Sequence, residues 1–455
     1  MFVISAAQTI SYGIPRYRLF ESMDGLCRKT RVVWVSGPAG AGKTQLAAGY
    51  LKDRQIDSLW WRIDDNFVSH PGYPSPLSRN DFAALFEDIL QKADRPTAAA
   101  DSNAFALVFE DYQKLPPDCA FHEILAEGLN AFPPGVFLLI LSRGQPPPGF
   151  VRLRAEGSIG FLGWPELRLC QEEADSLMRH SGHPLPDSVC LAELHAMTEG
   201  WAAGLVLLTE ALQRGIQSKE GFETALSGSV FGYFEREVFD PLSPDRQLFL
   251  LSTAFLPEMS VRMAETVSKR GDANRVLADL QQAGAFIERR SGTPPVYGYH
   301  GLFRRFLAAR AQERLSPAQI DELMRISAGL LEESGLIEAG AELYLKAGDL
   351  QALTRLIVRQ APEVIARGKG GCLEEWVPAA CCADVPNTPE PLFWLGISRL
   401  PHDPAGGRNE LEKAFAAASD SDAMKILSWS AIIDTFCLEW NDFTPLDHWI
   451  DWMEK

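Results

Sequence analysis

At 455 residues, with 46% hydrophobic and 23% charged side chains, the chain has the make-up of a soluble globular protein and the length for about three or four domains. A net charge of −17 opposes non-specific attraction to nucleic acid and to anionic membranes. No run approaches the roughly 18 apolar residues of a membrane span, Met1–Ser5 lacks a signal-peptide start, and the eight scattered cysteines form no C-x-x-C pair. A cytoplasmic chain with reduced thiols and no membrane partner is expected.

In chain order, residues 31–165 alternate strand and helix signals. Strands are expected at Arg31–Ser36, Ser58–Ile63, Ala106–Glu110 and Val136–Leu141. Between them, Ser69–Ser78 reads as a proline-rich surface loop, and Phe82, Leu85, Phe86, Ile89 and Leu90 keep helical spacing. Such alternation predicts a parallel α/β sheet. From residue 166 the pattern turns helical, with helices expected at Glu172–Arg179 and Ser188–Thr198. Gly200-Trp201-Ala202-Ala203-Gly204 then leads into the apolar run Leu205–Leu208. His180-Ser181-Gly182-His183 lies in a loop without a partner at metal-ligand spacing and is read as loop.

A compact block follows from 240 to 310. Helices should start at Ser243-Pro244-Asp245, after Ser260, and at Asp272 or Ala273. Ala285–Arg290 and Val296–His300 flank Ser291-Gly292-Thr293-Pro294-Pro295 as a hairpin. Three helices and a hairpin describe a winged helix. After 316, Ile320, Leu323, Met324 and Leu331, then Leu350, Leu353, Leu356 and Ile357, keep helical stripes, with Gly335 and Gly348 placed as C-terminal stops. This is the pattern of stacked helical repeats. The apolar face of Leu446, Trp449, Ile450 and Met453 comes just before the last residue, so the array reads as cut short. The expected fold is multidomain α/β plus α: a P-loop NTPase domain with its lead-in at 1–165, a helical domain at 166–239, a winged helix at 240–315 and TPR-like repeats at 316–455.

The chemistry centres on Gly37-Pro38-Ala39-Gly40-Ala41-Gly42-Lys43-Thr44, which matches G-x-x-x-x-G-K-[ST] between a strand and a helix. Backbone amides of such a loop close on phosphate oxygens, aided by the helix N-terminus. Lys43 is expected on the β- and γ-phosphates of ATP or ADP, and the Thr44 hydroxyl on Mg²⁺. An acidic group must end a neighbouring strand to hold Mg²⁺ and orient water, and Glu110-Asp111 supplies it. Glu110 is read as the metal-side carboxylate and Asp111 as a group able to polarise water. Arg143, after the next strand, is placed to contact the γ-phosphate. His300 alone, beside aromatics, reads more readily as a structural residue.

Taken together, these residues resemble the signal-transduction ATPases with numerous domains, specifically the MalT-like bacterial transcriptional regulators. The resemblance rests on Pro15-Arg16 with Leu19, Ser36–Gly40, Glu110–Gln113, Leu141-Ser142-Arg143, Gly200-Trp201-Ala202, Ala254–Pro257 and Tyr299-His300 through Leu307. The wording is nearest to regulators that end in a bacterial transcriptional activator domain. The resemblance implies that Gly200 and Trp201 line the nucleotide and that His300 approaches the phosphates from the winged helix. It also implies a closed ADP form, an ATP-bound form that self-associates, and an inducer received by the repeats. DNA would be bound only through a further domain, of which these residues hold no helix-turn-helix. Glu110 stands where the family usually has Asp. The extra methylene moves the carboxylate by roughly 1.5 Å, so hydrolysis is expected to be slow. A P-loop enzyme such as a small-molecule kinase, and a scaffold with an inactive ATPase, remain open as alternative readings.

Overall fold

The computed structural model describes residues 13–63, 104–129, 132, 135–181, 190–213, 226–290, 292, 294–381, 388–418 and 421–454. The expected loop Ser69–Ser78, the helix over Phe82–Leu90, Gly182, His183, the start at Ser188, and Ser291 and Thr293 of the hairpin turn lie outside the described residues. The chain forms two compact units, one of residues 1–247 and 271–306, the other of 248–270 and 307–455.

The first unit is built on five strands: β1 (Val32–Ser36), β2 (Asp57–Arg62), β3 (Phe105–Glu110), β4 (Val136–Ser142) and β5 (Ile159–Leu162). They pair in the order β2-β3-β4-β1-β5, all parallel. The central strands read as unbroken apolar runs because both sheet faces are covered. On one face Trp34, Leu107, Phe109, Leu138 and Ile140 pack with Phe121 and Leu125 of the helix Phe121–Gly128. On the other Val33, Val35, Val108, Leu139 and Leu141 pack with Leu19, Phe20 and Met23 of Tyr17–Lys29 and with Leu46, Ala47 and Leu51 of Lys43–Asp53.

Four strands fall within a residue of their expected ends. The fifth, β5, has no counterpart in the expectations. It is four residues long, contains Gly160 and exposes Phe161, so its apolar signal is weak. Gly160 is there because a Cβ would press to 2.9 Å of Leu26.

The topology sets β4 between β1 and β3, so the C-terminal ends of all three open onto one region. Helices Gln171–Ser181, Leu191–Thr198 and Ala202–Gln213 follow the sheet. Beyond them an irregular stretch runs from Leu226 to Phe239 as a π turn, a short α turn (Phe231–Phe234) and a second π turn (Glu235–Phe239). The helices of the next block begin where the caps predict, at Pro244, Val261 and Ala273, and Ser260 Oγ accepts from the Met263 amide at 3.2 Å. Ile287–Arg290 and Val296–Tyr299 form the antiparallel hairpin.

In the second unit, successive helices Pro317–Glu333, Ile337–Lys346, Leu350–Ala366, Leu373–Cys381, Pro389–Arg399, Pro404–Ala417, Asp422–Glu439 and Leu446–Glu454 make the repeat-like array. Gly335 and Gly348 hold φ of +81° and +65° at helix ends, as C-terminal stops require. The face at 446–453 is divided: Trp449 is buried against Phe415, whereas Ile450 and Met453 are exposed. Among the described residues no helix is long and apolar enough to cross a membrane.

Candidate nucleotide site

The loop after β1 is a cradle. Gly40 and Gly42 take φ of +72° and +82°, and Gly42 caps the helix that begins at Lys43. The first-turn amides of that helix have no intrahelical acceptor and face the loop's concavity. The Gly37 amide donates to the Ser142 carbonyl at 3.2 Å, which fixes the loop to β4. Lys43 Nζ folds back on the Gly37 and Pro38 carbonyls at 2.7 and 2.9 Å. Burial, and next the neighbouring Arg143 charge, push the Lys43 ammonium down to about 8. Such an ammonium gains strongly from an arriving phosphate.

Thr44 and Glu110 meet directly, the hydroxyl donating to Oε1 at 2.5 Å. The longer side chain therefore reaches the loop. Asp111 is held differently. It sits at φ +57°, and its carboxylate accepts from Arg62 Nε at 3.1 Å and from Gln113 Nε2 at 3.2 Å. Gln113 Oε1 accepts in turn from the Arg143 amide at 2.9 Å. The Arg143 guanidinium turns to Glu237, meeting its backbone carbonyl and Oε2 at 3.1 Å each. A cavity of 170 Å³ collects these groups: Ala39–Gln45, Glu110, Asp111, Leu141, Arg143, Tyr233 and Glu237 line it. The hard oxygen donors of Thr44 and Glu110 suit Mg²⁺. Among the described residues no cluster of three His, Cys, Asp or Glu offers a separate metal site.

The helical segment closes on the loop from the other side. Trp201 Nε1 donates to the Ala39 carbonyl at 3.0 Å, and the Ala203 amide to the Gly40 carbonyl at 3.1 Å. The approach leaves no room at Gly40, where a Cβ would lie 2.4 Å from Ala203 Cβ and 2.9 Å from the Tyr233 hydroxyl. Gly200, at φ +75°, lets the chain turn against Leu169, whose amide donates to the Gly200 carbonyl at 2.9 Å. Gly200 lines neither cavity beside the loop, and Trp201 is wholly buried, stacked on Phe234 with ring centroids 5.0 Å apart. Of the two, Trp201 bonds the loop and Gly200 packs against Leu169. Beside them lies an apolar pocket of 330 Å³, walled by Ile14, Gly40–Gly42, Leu46, Leu169, Leu177, Ala202, Ala203, Val206, Leu207 and Tyr233. Arg16, also on its wall, is held by Glu173 at 2.8 Å.

His300 is not among the residues lining the phosphate cavity. It is buried, its Nε2 against the Thr198 carbonyl at 2.9 Å, and it packs edge-on to Trp201 at 6.1 Å. Through the indole it neighbours the residue that bonds the loop. A carbonyl partner requires the proton on Nε2, and the buried Nδ1 has no partner. Burial first of all holds its pKa below the usual histidine value.

Sequence reasoning had brought out the loop, Glu110, Asp111 and Arg143, and the structure gathers them. Ile14, Gln113's bridging role, Tyr233 and Glu237 were missed. Gln113 stands in the Glu110–Gln113 segment, where its amide near a strand-end acid is the available signal. Tyr233 and Glu237 come from the π-distorted stretch, which carries no regular period.

A family model for the MalT winged helix domain matches residues 235–319. HTH-type transcriptional regulator MalT of Vibrio cholerae is 26% identical over 373 residues, 76% of this chain and 40% of that protein. Its counterpart in Yersinia enterocolitica is 26% identical over 431 residues, 89% of this chain and 47% of that protein. The chain thus spans less than half the length of these relatives. Among solved structures, a signal transduction ATPase with a tetratricopeptide repeat sensor from Pyrococcus horikoshii overlaps 95% of this chain and 69% of its own at 14% identity and a TM-score of 0.33. A Walker-type ATPase of Pyrococcus abyssi overlaps 66% of this chain and 99% of its own at 12% identity and 0.43. This chain is similar to the MalT regulators over most of its length, and it carries a P-loop sheet, a helical segment, a winged helix matched by the MalT model and helical repeats in that order.

Proposed function

We propose that the chain is the nucleotide-switched sensor part of a MalT-like transcriptional regulator, binding ATP or ADP with Mg²⁺. The observation that carries this reading is the pair of hydrogen bonds from Trp201 and Ala203 to the Ala39 and Gly40 carbonyls. They make the helical segment one wall of the phosphate loop, so a ligand in the loop acts on two parts of the fold at once. The phosphates would take the loop amides and Lys43, and the 330 Å³ apolar pocket has room for a purine. Thr44 and Glu110 would hold Mg²⁺, which when bound neutralises phosphate charge and polarises the terminal phosphoryl group. Arg62 and Gln113 tie up Asp111, which favours a positioning role for it and slow turnover suited to a switch.

In this reading the four parts at 1–165, 166–239, 240–315 and 316–455 work as nucleotide domain, helical domain, winged helix and sensor array. Mg-ATP favours self-association, an inducer acts on the repeats, and DNA contact is not made by these 455 residues. Equilibrium binding of a fluorescent ADP tests the core claim in wild type, Lys43→Ala and Val206→Trp, the last of which fills the apolar pocket. Both variants should lose at least about tenfold in affinity. Equal binding by all three proteins would refute the assignment.

A further inference from the structure

We propose that Glu237 is the residue by which this site selects a nucleoside diphosphate over a triphosphate. The inference rests on the nucleotide-binding reading above and goes further, to the side chain that distinguishes the two ligands.

Five charged groups line the phosphate cavity among the described residues: Lys43 and Arg143 as cations, Glu110, Asp111 and Glu237 as anions. Among the described residues the cations on that wall are Lys43 and Arg143, and Arg143 follows the strand between the loop strand and the acidic strand. Glu237 already holds it through both guanidinium ends, Nη1 on the backbone carbonyl and Nη2 on Oε2. With that pair formed, Arg143 is taken by Glu237 and Asp111 is met by Arg62, which leaves Lys43 as the cation open to a ligand. A diphosphate is served by the loop amides and Lys43 alone. A third phosphate brings more negative charge toward the Glu237 carboxylate and finds Arg143 occupied. Like charges a few ångströms apart in a partly dry cavity repel by more than the equivalent of a tenfold change in affinity.

The Glu237 backbone is fixed. Its neighbours Val238 and Phe239 are buried, and Tyr233, one turn earlier on the same distorted helix, lines the same cavity. The Arg143 backbone is equally fixed. Gln113 holds its amide, and Gly284, at φ +68°, lies so near that a Cβ would sit 2.8 Å from Arg143 Cβ. A Cβ at Gly144 would fall 1.9 Å from the Gln282 carbonyl oxygen. The turn at 282–284 thus abuts the strand end that carries Arg143. A triphosphate that captures Arg143 must break its bond to Glu237 beside this contact. The pair is partly exposed, its side chains 28% and 45% accessible, and such pairs contribute little to stability. Its consequence is that Arg143 is occupied, and Glu237→Gln should fold normally.

The test is calorimetric titration of wild type, Glu237→Gln and Glu237→Asp with ADP and with ATP, each with Mg²⁺ at one fixed salt concentration. Wild type should prefer ADP. Glu237→Gln should move the ratio of affinities toward ATP by tenfold or more, mainly by tightening ATP, and Glu237→Asp should keep the preference. A ratio unchanged in Glu237→Gln, with both nucleotides still bound, overturns the role of Glu237 and leaves the nucleotide reading standing. Equal weakening of both ligands makes Glu237 a merely structural residue and likewise overturns it. No binding of either nucleotide by wild type defeats the nucleotide reading and this inference together.

Discussion

Thr44 Oγ1 and Glu110 Oε1 lie 2.5 Å apart, so the loop hydroxyl and the strand-end carboxylate are already in contact across the site. A Mg²⁺ ion held by both must displace that hydrogen bond. Shortening the acid relieves the competition and withdraws the carboxylate by roughly 1.5 Å. Glu110→Asp should therefore release phosphate from ATP at the wild-type rate or faster, and Glu110→Gln should release almost none. Phosphate release by Glu110→Asp well below wild type would mean that the longer acid is the optimised one.

Lys43 gives the site a pH signature. Its pKa is depressed from 10.5 to about 8, by burial and then by Arg143. Between those values the unfolded chain binds more protons than the folded one, so nucleotide-free stability should rise as pH climbs from 8 toward 10.5. Nucleotide affinity should move the opposite way, because phosphate needs the charged ammonium. It should fall up to tenfold per pH unit above 8, with proton uptake on binding. Titrations of ADP binding from pH 7 to 10 in two buffers of different ionisation enthalpy check both statements. Lys43→Arg, which stays charged, should lose the slope, and a slope that survives in it would assign the titration to another group.

How much of this could be read from the chain follows from how locally each feature is encoded. Gly37–Thr44 is a contiguous motif, and its glycines are the residues whose left-handed φ the loop uses. Glu110 and Arg143 were legible because each follows an apolar run long enough to be a buried strand. The helix starts at Pro244, Val261 and Ala273 followed from caps such as Ser260. β5 escaped notice because four residues with a glycine and an exposed Phe161 give no clear period. Tyr233 and Glu237 escaped for a deeper reason. The π turns before Tyr233 and around Glu237 shift the helical phase, and their neighbours, Gly40 and Arg143, are far away in sequence. His300 was singled out by its place in the Tyr299–Leu307 block, whereas its packing against Trp201 and its bond to the Thr198 carbonyl are long-range features with no local signal.

His300 should behave as an acid-sensitive brace. Its Nε2–H spans to the Thr198 carbonyl, and the groups that face it are Glu199, Arg168 and Glu288. Its folded pKa lies below 6.5, so the unfolded chain binds the proton more readily, and stability should drop as pH falls through 6.5. His300→Ala strips a buried carbonyl of its donor and opens a cavity beside Trp201, at a cost of about 1–3 kcal/mol. Urea unfolding at pH 8 and pH 5.5 provides the measurement. The variant should be less stable at pH 8 and should lose less on acidification than wild type. An identical acid slope in the two proteins would locate the titrating group elsewhere.

The last prediction concerns DNA. A winged helix often lays its third helix in the major groove, and here that helix is Ala273–Gln282. It is poorly equipped for the task. Ala273, Val276, Leu277 and Leu280 are buried, which consumes one face. The charges on the rest are paired, Arg275 with Asp272 at 3.0 Å and Asp279 with Arg246 at 2.6 Å. Its C-terminal end is committed as well, because the Gln282 carbonyl presses on Gly144 closely enough to exclude a Cβ there. A reading helix needs unpaired Lys or Arg to meet phosphates, and a chain of net charge −17 adds repulsion at long range. These 455 residues should show no sequence preference among DNA duplexes at physiological salt, with ADP or with ATP. Fluorescence anisotropy with a specific and a scrambled duplex is the measurement, and Gly144→Ala, which forces the Gln282 contact apart, serves as the second arm. Sub-micromolar preference for one duplex in the variant alone would mean that the docked turn masks a reader. The same preference in wild type would make the winged helix itself the DNA-binding element.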